Sequence, residues 1–298
     1  MVATRRLTQL ISAALPRTQL PEDPLVVALS GGADSAALAL LGVEAGRQTT
    51  ALHIDHGLPA SPAMADAARG VAAMLGLPLS VEVVQLGVGP SREERAREAR
   101  YRVFVKIEAT VLTGHTRDDS VETMLINLLR GTGPVGLTGI PRHRPPNIYR
   151  PILEVTRSET REIATLAGLP FVDDPMNQDM SLTRNRIRLG VLPLIREINP
   201  QVDEALARLA GILDRDVTYL EELSARHHSG PHIPVGLVQT LPRVLADRLL
   251  LRALDDVGIA RTAERLDRMW SVASGQSDRQ DLAEGHVVVR RGALLVIE

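Results

Sequence analysis

Four short apolar runs alternate with segments of helical composition across the first half of the chain. That alternation limits the fold more than any other feature. Pro24–Ser30 (PLVVALS), Thr49–His56 (TTALHIDH), Leu79–Gln85 and Thr110–His115 are short and rich in Val, Leu and Ile, the pattern of strands buried in a parallel sheet. Between them, Ser35–Ala45, Pro62–Leu75 and Ser91–Glu108 have helix-compatible composition. Strand–helix alternation builds βαβ units. The expected fold is therefore α/β, a doubly wound and mainly parallel sheet, with any ligand at the carboxyl ends of its strands.

The pattern changes near residue 200, where Asn199–Pro200 reads as a helix stop or start. Val202–Arg226 carries apolar residues at helical spacing (Leu206, Leu209, Ile212, Leu213, Leu220, Leu223). Residues 240–272 read as two more helices, and His286–Ile297 as a terminal hairpin turning at Arg291–Gly292. The expected organisation is one domain over residues 1–215 and a smaller, mostly helical domain over residues 216–298.

Composition removes whole classes of chemistry. The 298 residues contain no cysteine, which excludes disulfides, zinc–thiolate sites, iron–sulfur clusters and cysteine nucleophiles or persulfide carriers. It also suggests a cytoplasmic protein. Lys106 is the only lysine among 34 basic residues. A Walker-type GxxxxGK loop is therefore absent, and lysine chemistry must run through Lys106 or come with a substrate. Apolar runs break off well short of the ~20 residues of a membrane span. The N-terminus (MVATRRLTQLISAALP) is too weakly apolar for a signal peptide. A net charge of −2 gives no overall attraction to nucleic acid, so RNA binding would need local basic patches. With 2% aromatic residues, broad base-stacking platforms are not expected.

The strongest local signal is Ser30-Gly31-Gly32-Ala33-Asp34-Ser35, between the first strand and its helix. Paired glycines permit positive φ and clear side chains from the turn. Amide N–H groups and the helix N-terminus can then face an oxyanion, with the Ser30 and Ser35 hydroxyls as donors. A carboxylate at Asp34 would repel a phosphate unless a divalent cation lay between them, which makes Asp34 a candidate Mg²⁺ ligand. The plainer alternative is a strand-to-helix turn capped by Asp34 or Ser35.

Three further clusters carry titratable groups. His53-Ile54-Asp55-His56 closes the second strand, suited to nucleotide recognition, to a core histidine with Asp55 capping a turn, or to a metal lacking its third ligand. Gly114-His115-Thr116-Arg117-Asp118-Asp119 follows the fourth strand, and spacing puts Asp118, Asp119 and Glu122 on one helical face. The helix N-terminus offsets part of their repulsion; alternatively they approach a metal-bound polyphosphate or a reacting base. His115, on the last strand residue, could donate to a phosphate. Arg184 and Arg188 share a face in Thr183-Arg184-Asn185-Arg186-Ile187-Arg188, and arginine forks suit phosphates. Arg92–Arg102 pairs Glu93 with Arg97 and Glu98 with Arg102 at i,i+4, which reads as a salt-bridged helix.

Assembled in order, these segments resemble the tRNA(Ile)-lysidine synthetase family of PP-loop ATP pyrophosphatases (adenine nucleotide alpha hydrolase-like). SGGADS at 30–35, IDHGL at 54–58, AREARY at 96–101, GHTRDDSVET at 114–123, LLRG at 128–131, RPIL at 150–153 and RNRIR at 184–188 carry the resemblance. It implies a carbon–nitrogen ligase in tRNA modification. ATP adenylates the C2 oxygen of the wobble cytidine of a CAU-anticodon isoleucine tRNA, and free L-lysine then displaces AMP to leave lysidine. It further implies that residues 30–35 with His53 and Asp55 hold ATP, and that Asp34 holds Mg²⁺. Asp34, His115, Asp118, Asp119 and Glu122 would line the reaction centre, one of the last three serving as base for the lysine ammonium. Arg97, Arg100, Arg130, Arg184, Asn185 and Arg188 would contact tRNA.

Two departures stand out. Met176 replaces a serine common in the family, and the chain ends without the C-terminal domain of some relatives, so acceptor-stem recognition is expected to fall to residues 215–298 or to be reduced. A homodimer is compatible with this reading, and a membrane is not expected. Rival readings are weaker. A tRNA thiolase of the same superfamily needs cysteines; an NAD synthetase-type ligase leaves RNRIR unexplained; a nucleotide-binding sensor needs fewer carboxylates than residues 118–122 supply.

Overall fold

The computed structural model describes residues 2–22, 24–87 and 92–298. It divides into two compact units, Met1–Gly211 and Ile212–Glu298. In the first unit, β1 (Leu25–Ala28), β2 (Thr49–Asp55), β3 (Leu79–Val83), β4 (Thr110–Leu112), β5 (His143–Arg144) and β6 (Ile148–Tyr149) form one sheet in the order β3-β2-β1-β4-β6-β5. All pairings are parallel except β5 with β6. Central β1 sets the register, Val27 lying beside Ala51 of β2 and Leu112 of β4.

Alternation along β1 explains the two helical layers. Leu25, Val27 and Leu29 point into a core made by α1 (Val2–Ala14), α2 (Ala33–Glu44), α3 (Ser61–Leu75) and α6 (Arg157–Leu166), while Val26 and Ala28 face Phe104 of α4 (Arg92–Phe104). Successive strand residues point to opposite faces, so a continuous apolar run needs cover on both. Leu38 and Leu41 of α2 are fully buried, each contributing ~1.5–3 kcal/mol. A third cluster joins Val121 and Leu125 of α5 (Arg117–Leu129) to Ile187 and Leu192. These last two belong to a run of α7 (Thr183–Arg186), a π-turn over Ile187–Val191, and α8 (Leu192–Ile198).

Three expectations need correction. β3 is an edge strand with mostly exposed side chains, because no strand pairs its outer side. β4 stops at Leu112, so His115 lies three residues beyond it. The expected Glu98–Arg102 ion pair is not made among the described residues, and the side chain of Glu93, expected to pair with Arg97, lies outside them; Arg97 stacks on the Tyr101 ring, 5.0 Å from its centroid.

The division between units falls within α9 (Val202–Ala225). In the second unit, α10 (Val235–Thr240), α11 (Arg243–Asp256) and α12 (Ala263–Ala273) share a core with an antiparallel sheet. That sheet orders β7 (Ile233–Pro234), β8 (Arg279–Ala283), β9 (His286–Arg291) and β10 (Leu294–Ile297) as β7-β10-β9-β8. The terminal hairpin turns at Gly292–Ala293, one residue later than expected, with Gly292 at φ 61°.

Candidate active site

The chain leaves β1 toward β2 and leaves β4 toward β6, so the sheet order reverses between these neighbours. A crevice opens at such a point. Both walls approach closely: a Cβ at Gly114 would sit 3.0 Å from the Ser35 nitrogen. On the β1 side, Gly31 takes φ 87°, and a Cβ there would lie 2.6 Å from the Met64 carbonyl oxygen. No side chain caps α2, so the first-turn amides of Ala33, Asp34 and Ser35 have no intrahelical acceptor. Ser30 is exposed, whereas Ser35 is turned inward. The Ser35 hydroxyl accepts from the Ser30 nitrogen at 3.1 Å and lies 2.9 Å from the Gly32 carbonyl oxygen, to which it donates. Ser35 staples the loop instead of facing a ligand.

Asp34 accepts a hydrogen bond from the buried Thr160 hydroxyl, and the Arg157 Nε lies 4.0 Å away. Burial, reinforced by the charges of Asp119 and Asp118, raises its carboxyl to about 6 despite Thr160 and Arg157. Among the described residues no group of three or more His, Asp or Glu side chains can hold a metal. Asp34 is thus a lone candidate. It fits Mg²⁺, which commonly takes one or two carboxylates together with substrate phosphates.

Sequence reading missed Arg157, the hub of the site. The chain reaches α6 through Thr156-Arg157-Ser158-Glu159, a capping box in which Thr156 N–H donates to Glu159 at 2.8 Å; that S/T-x-x-E signature was legible. The Arg157 amide donates to Asp118 at 2.8 Å, Nη2 to Asp119 at 2.7 Å and Nη1 to Glu122 at 2.9 Å. Despite burial, these carboxylates hold the guanidinium above its ordinary range. Arg188 closes a fork on Glu122 at 2.7 and 3.1 Å, and Arg184 stands 3.8 Å from it while donating to the Thr123 hydroxyl at 2.9 Å.

The three carboxylates of α5 therefore differ. Glu122 is 0% exposed, with both oxygens engaged by arginine. Asp119 accepts from the Thr116 amide and hydroxyl at 2.8 and 2.9 Å; burial works against its charge, but Arg157 and that amide hold it below the usual carboxylate range. Asp118 lies 3.6 Å from Arg196. His115 Nδ1 is 2.9 Å from the Thr113 hydroxyl. Burial and nearby arginines lower its pKa to about 3 although Asp119 opposes them, so the imidazole is neutral. With Thr113 donating to the Tyr149 carbonyl at 3.4 Å, Nδ1–H donates to Thr113 and Nε2 is left as an acceptor.

The other expected residues have different surroundings. His53 is buried with Nδ1 2.7 Å from the Leu29 carbonyl oxygen, which makes Nδ1 the donor and leaves Nε2 without a partner. Asp55 accepts from the Gly57 amide at 2.8 Å, a turn bond that lowers its pKa. Burial lowers neighbouring His56 to about 4. Asn185 is not presented to a ligand: its buried Nδ2 ties the Met176 and Asp179 carbonyls at 2.8 and 2.9 Å. Arg130, exposed at the end of α5, lies eight residues and so ~12 Å past Glu122. Arg100 is half-buried and Arg97 exposed, on one helix.

An uncapped helix behind a side-chain-free turn, at the reversal of a doubly wound sheet, defines a PP-loop domain, and the family model of that description matches residues 2–195. Its solved likenesses include a U34-tRNA thiolase from Methanococcus maripaludis (TM-score 0.57, 15% identity, 71% of this chain and 79% of that one), which shares the fold. More specifically, the chain belongs to the tRNA(Ile)-lysidine synthase family. It is 40% identical over 252 residues to the member from Salinispora tropica, covering 76% of this chain and 75% of that one. It is 38% identical over 294 residues to a Thermus thermophilus member, covering 93% of this chain and 57% of that one. The chain thus spans little more than half the length of the Thermus relative.

Proposed function

We propose that this protein ligates free L-lysine to C2 of the wobble cytidine of a CAU-anticodon isoleucine tRNA, at the expense of ATP. The observation that carries this reading is the juxtaposition of two unlike halves. An uncapped helix N-terminus suited to polyphosphate lies beside a carboxylate array already stiffened by arginine. The first suits adenylation of a base oxygen, and the second suits an incoming ammonium.

In this reading the Ser30 hydroxyl and the amides of the α2 first turn bind the phosphates of ATP. Asp34 would hold Mg²⁺, which supplies charge neutralisation as pyrophosphate departs. Asp118 and Asp119 bind the ε-ammonium of lysine. Asp119, held below the usual range, serves better to hold that cation than to take its proton. The neutral His115 presents Nε2 as a hydrogen-bond acceptor beside the reacting centre, and Asp118 receives the proton when the amine attacks C2 and AMP leaves. Glu122 positions Arg157, Arg184 and Arg188 rather than meeting substrate. Residues 216–298 serve tRNA binding. The second unit holds eleven arginines against thirteen acidic residues, so it would use local patches rather than net charge.

Incorporation of labelled lysine into purified CAU-anticodon tRNA tests the reading. Pyrophosphate release that ignores this tRNA would refute it. No helix among the described residues is long and apolar enough to cross a membrane, which agrees with action on a tRNA in the cytoplasm.

A further inference from the structure

The RPIL segment supplies a residue that this chemistry leaves unused. Arg150 is 2% exposed. Its Nη1 donates to the Pro141 carbonyl oxygen and its Nη2 to the Tyr101 hydroxyl at 2.9 Å, while Nε has no partner among the described residues. Both acceptors are neutral, and no carboxylate pairs with this guanidinium among the described residues. A buried cation without counter-charge costs free energy, which an arriving anion would recover.

The surroundings point the same way. Arg150 lines a pocket of about 260 Å³ with Arg97, Arg144, Arg184 and His115, and no acidic residue lines it. The pocket is smaller than the ~300–1,000 Å³ that whole small molecules occupy. An open groove of about 550 Å³ shares Arg97 and Arg144 with it and is lined as well by Tyr101, Arg102, Glu94 and Glu98. Arg144 stacks 4.0 Å from the Tyr101 ring centroid, which fixes its guanidinium in place. Burial works to raise the Tyr101 phenol, yet the fields of Arg150, Arg97 and Arg144 hold it below its ordinary value.

We propose that Arg144 and Arg150 build a phosphodiester seat beside His115, occupied by the RNA backbone next to the reacting nucleotide. A polymer explains both a small pocket and its continuation into an open groove. None of residues 30–35 lines the pocket, so the phosphates of ATP have a separate place. This inference rests on RNA being the substrate.

The test measures affinity of the full chain for CAU-anticodon tRNA against salt. Arg144→Gln should weaken binding several-fold at low salt and flatten the log–log salt slope by roughly 0.7, the value of one single-strand phosphate contact. Arg144→Lys, which keeps the charge, should restore the slope, and ATP affinity should not change. Arg97→Gln, at an exposed position, provides a second variant with little risk to folding. An unchanged slope in both glutamine variants would overturn the seat. Weakened ATP binding with an unchanged RNA slope would assign the pocket to the triphosphate and also overturn it. If the wild type binds this tRNA but never incorporates lysine, the ligase reading fails and the slopes still decide the seat.

Discussion

Replacing Asp34 with Asn should stabilise the substrate-free protein while abolishing its chemistry. In the folded chain the carboxyl is raised from 3.8 to about 6. One pKa unit corresponds to 1.36 kcal/mol, so keeping Asp34 ionised costs the fold up to about 3 kcal/mol. The side chain is 29% exposed, and solvent screening trims this to about 2–3 kcal/mol. Because the folded pKa lies above the unfolded one, the fold binds the extra proton. Stability is therefore complete below 3.8, falls as pH rises, and reaches its full loss above about 6. Asn keeps an oxygen for the Thr160 hydroxyl without the charge. Its advantage should be largest at pH 7.5 and roughly half as large at pH 5. For a unit of about this size, the gain at pH 7.5 corresponds to roughly 5–10 °C in Tm. Calorimetry in chelator, without nucleotide, measures it at both pH values. Equal stability at pH 7.5, or a gain that does not shrink at pH 5, would refute the reasoning.

Other perturbations have equally definite outcomes. Gly31→Ala places a methyl 2.6 Å from the Met64 carbonyl oxygen at φ 87°, so ATP affinity, measured calorimetrically, should fall at least ~10-fold; near wild-type affinity would mean the loop tolerates a side chain. Glu122→Gln leaves Arg157 and Arg188 facing a neutral partner and should cost ~3–5 kcal/mol in urea denaturation, a loss under 1 kcal/mol being incompatible with the network. His115→Gln, which removes a hydrogen-bond acceptor at the reacting centre, should lower lysine transfer ~10-fold yet preserve tRNA-dependent pyrophosphate release, and loss of both would remove its role at the lysine-transfer step. His115 is lowered from 6.5 to about 3, so it favours the fold fully above 6.5 and loses that contribution as pH falls toward 3; a rate inflection near pH 6.5 that vanishes in the glutamine variant would contradict this.

What the chain discloses follows the range of each interaction. SGGADS is contiguous and answers to one turn and one helix terminus, so its geometry is legible residue by residue. The face shared by Asp118, Asp119 and Glu122 follows from helical period alone. Periodicity does not tell depth, however, and the shared face hid the difference between partly exposed Asp118 and fully buried Glu122. Arg157 reaches Glu122 across 35 positions, a pairing that no local pattern encodes. The two-residue strands β5 and β6 are too short for alternation to register, and Arg144 went unseen with them. Asn185 was misassigned because RNRIR reads as a basic surface motif, whereas its central amide points inward to hold a turn.

Burial raises the Asp34 carboxyl to about 6, and the ion-pair pattern leaves it little cation to offset that. Arg157 commits both η nitrogens to Asp119 and Glu122 and leaves Asp34 only a distant Nε at 4.0 Å. Arg188 is spent on Glu122, and Arg196 pairs with Asp203 at 2.7 Å. Thr160 gives Asp34 a hydrogen bond but no charge. The carboxylates of α5 are thus satisfied by the protein, while the one at the glycine loop is left short of cation. A site balanced throughout would gain little from an added cation. One with its deficit concentrated at Asp34 gains most from a cation placed where a polyphosphate would also lie, so the instability expected of the substrate-free fold and the metal-bound nucleotide proposed for this site have a single origin.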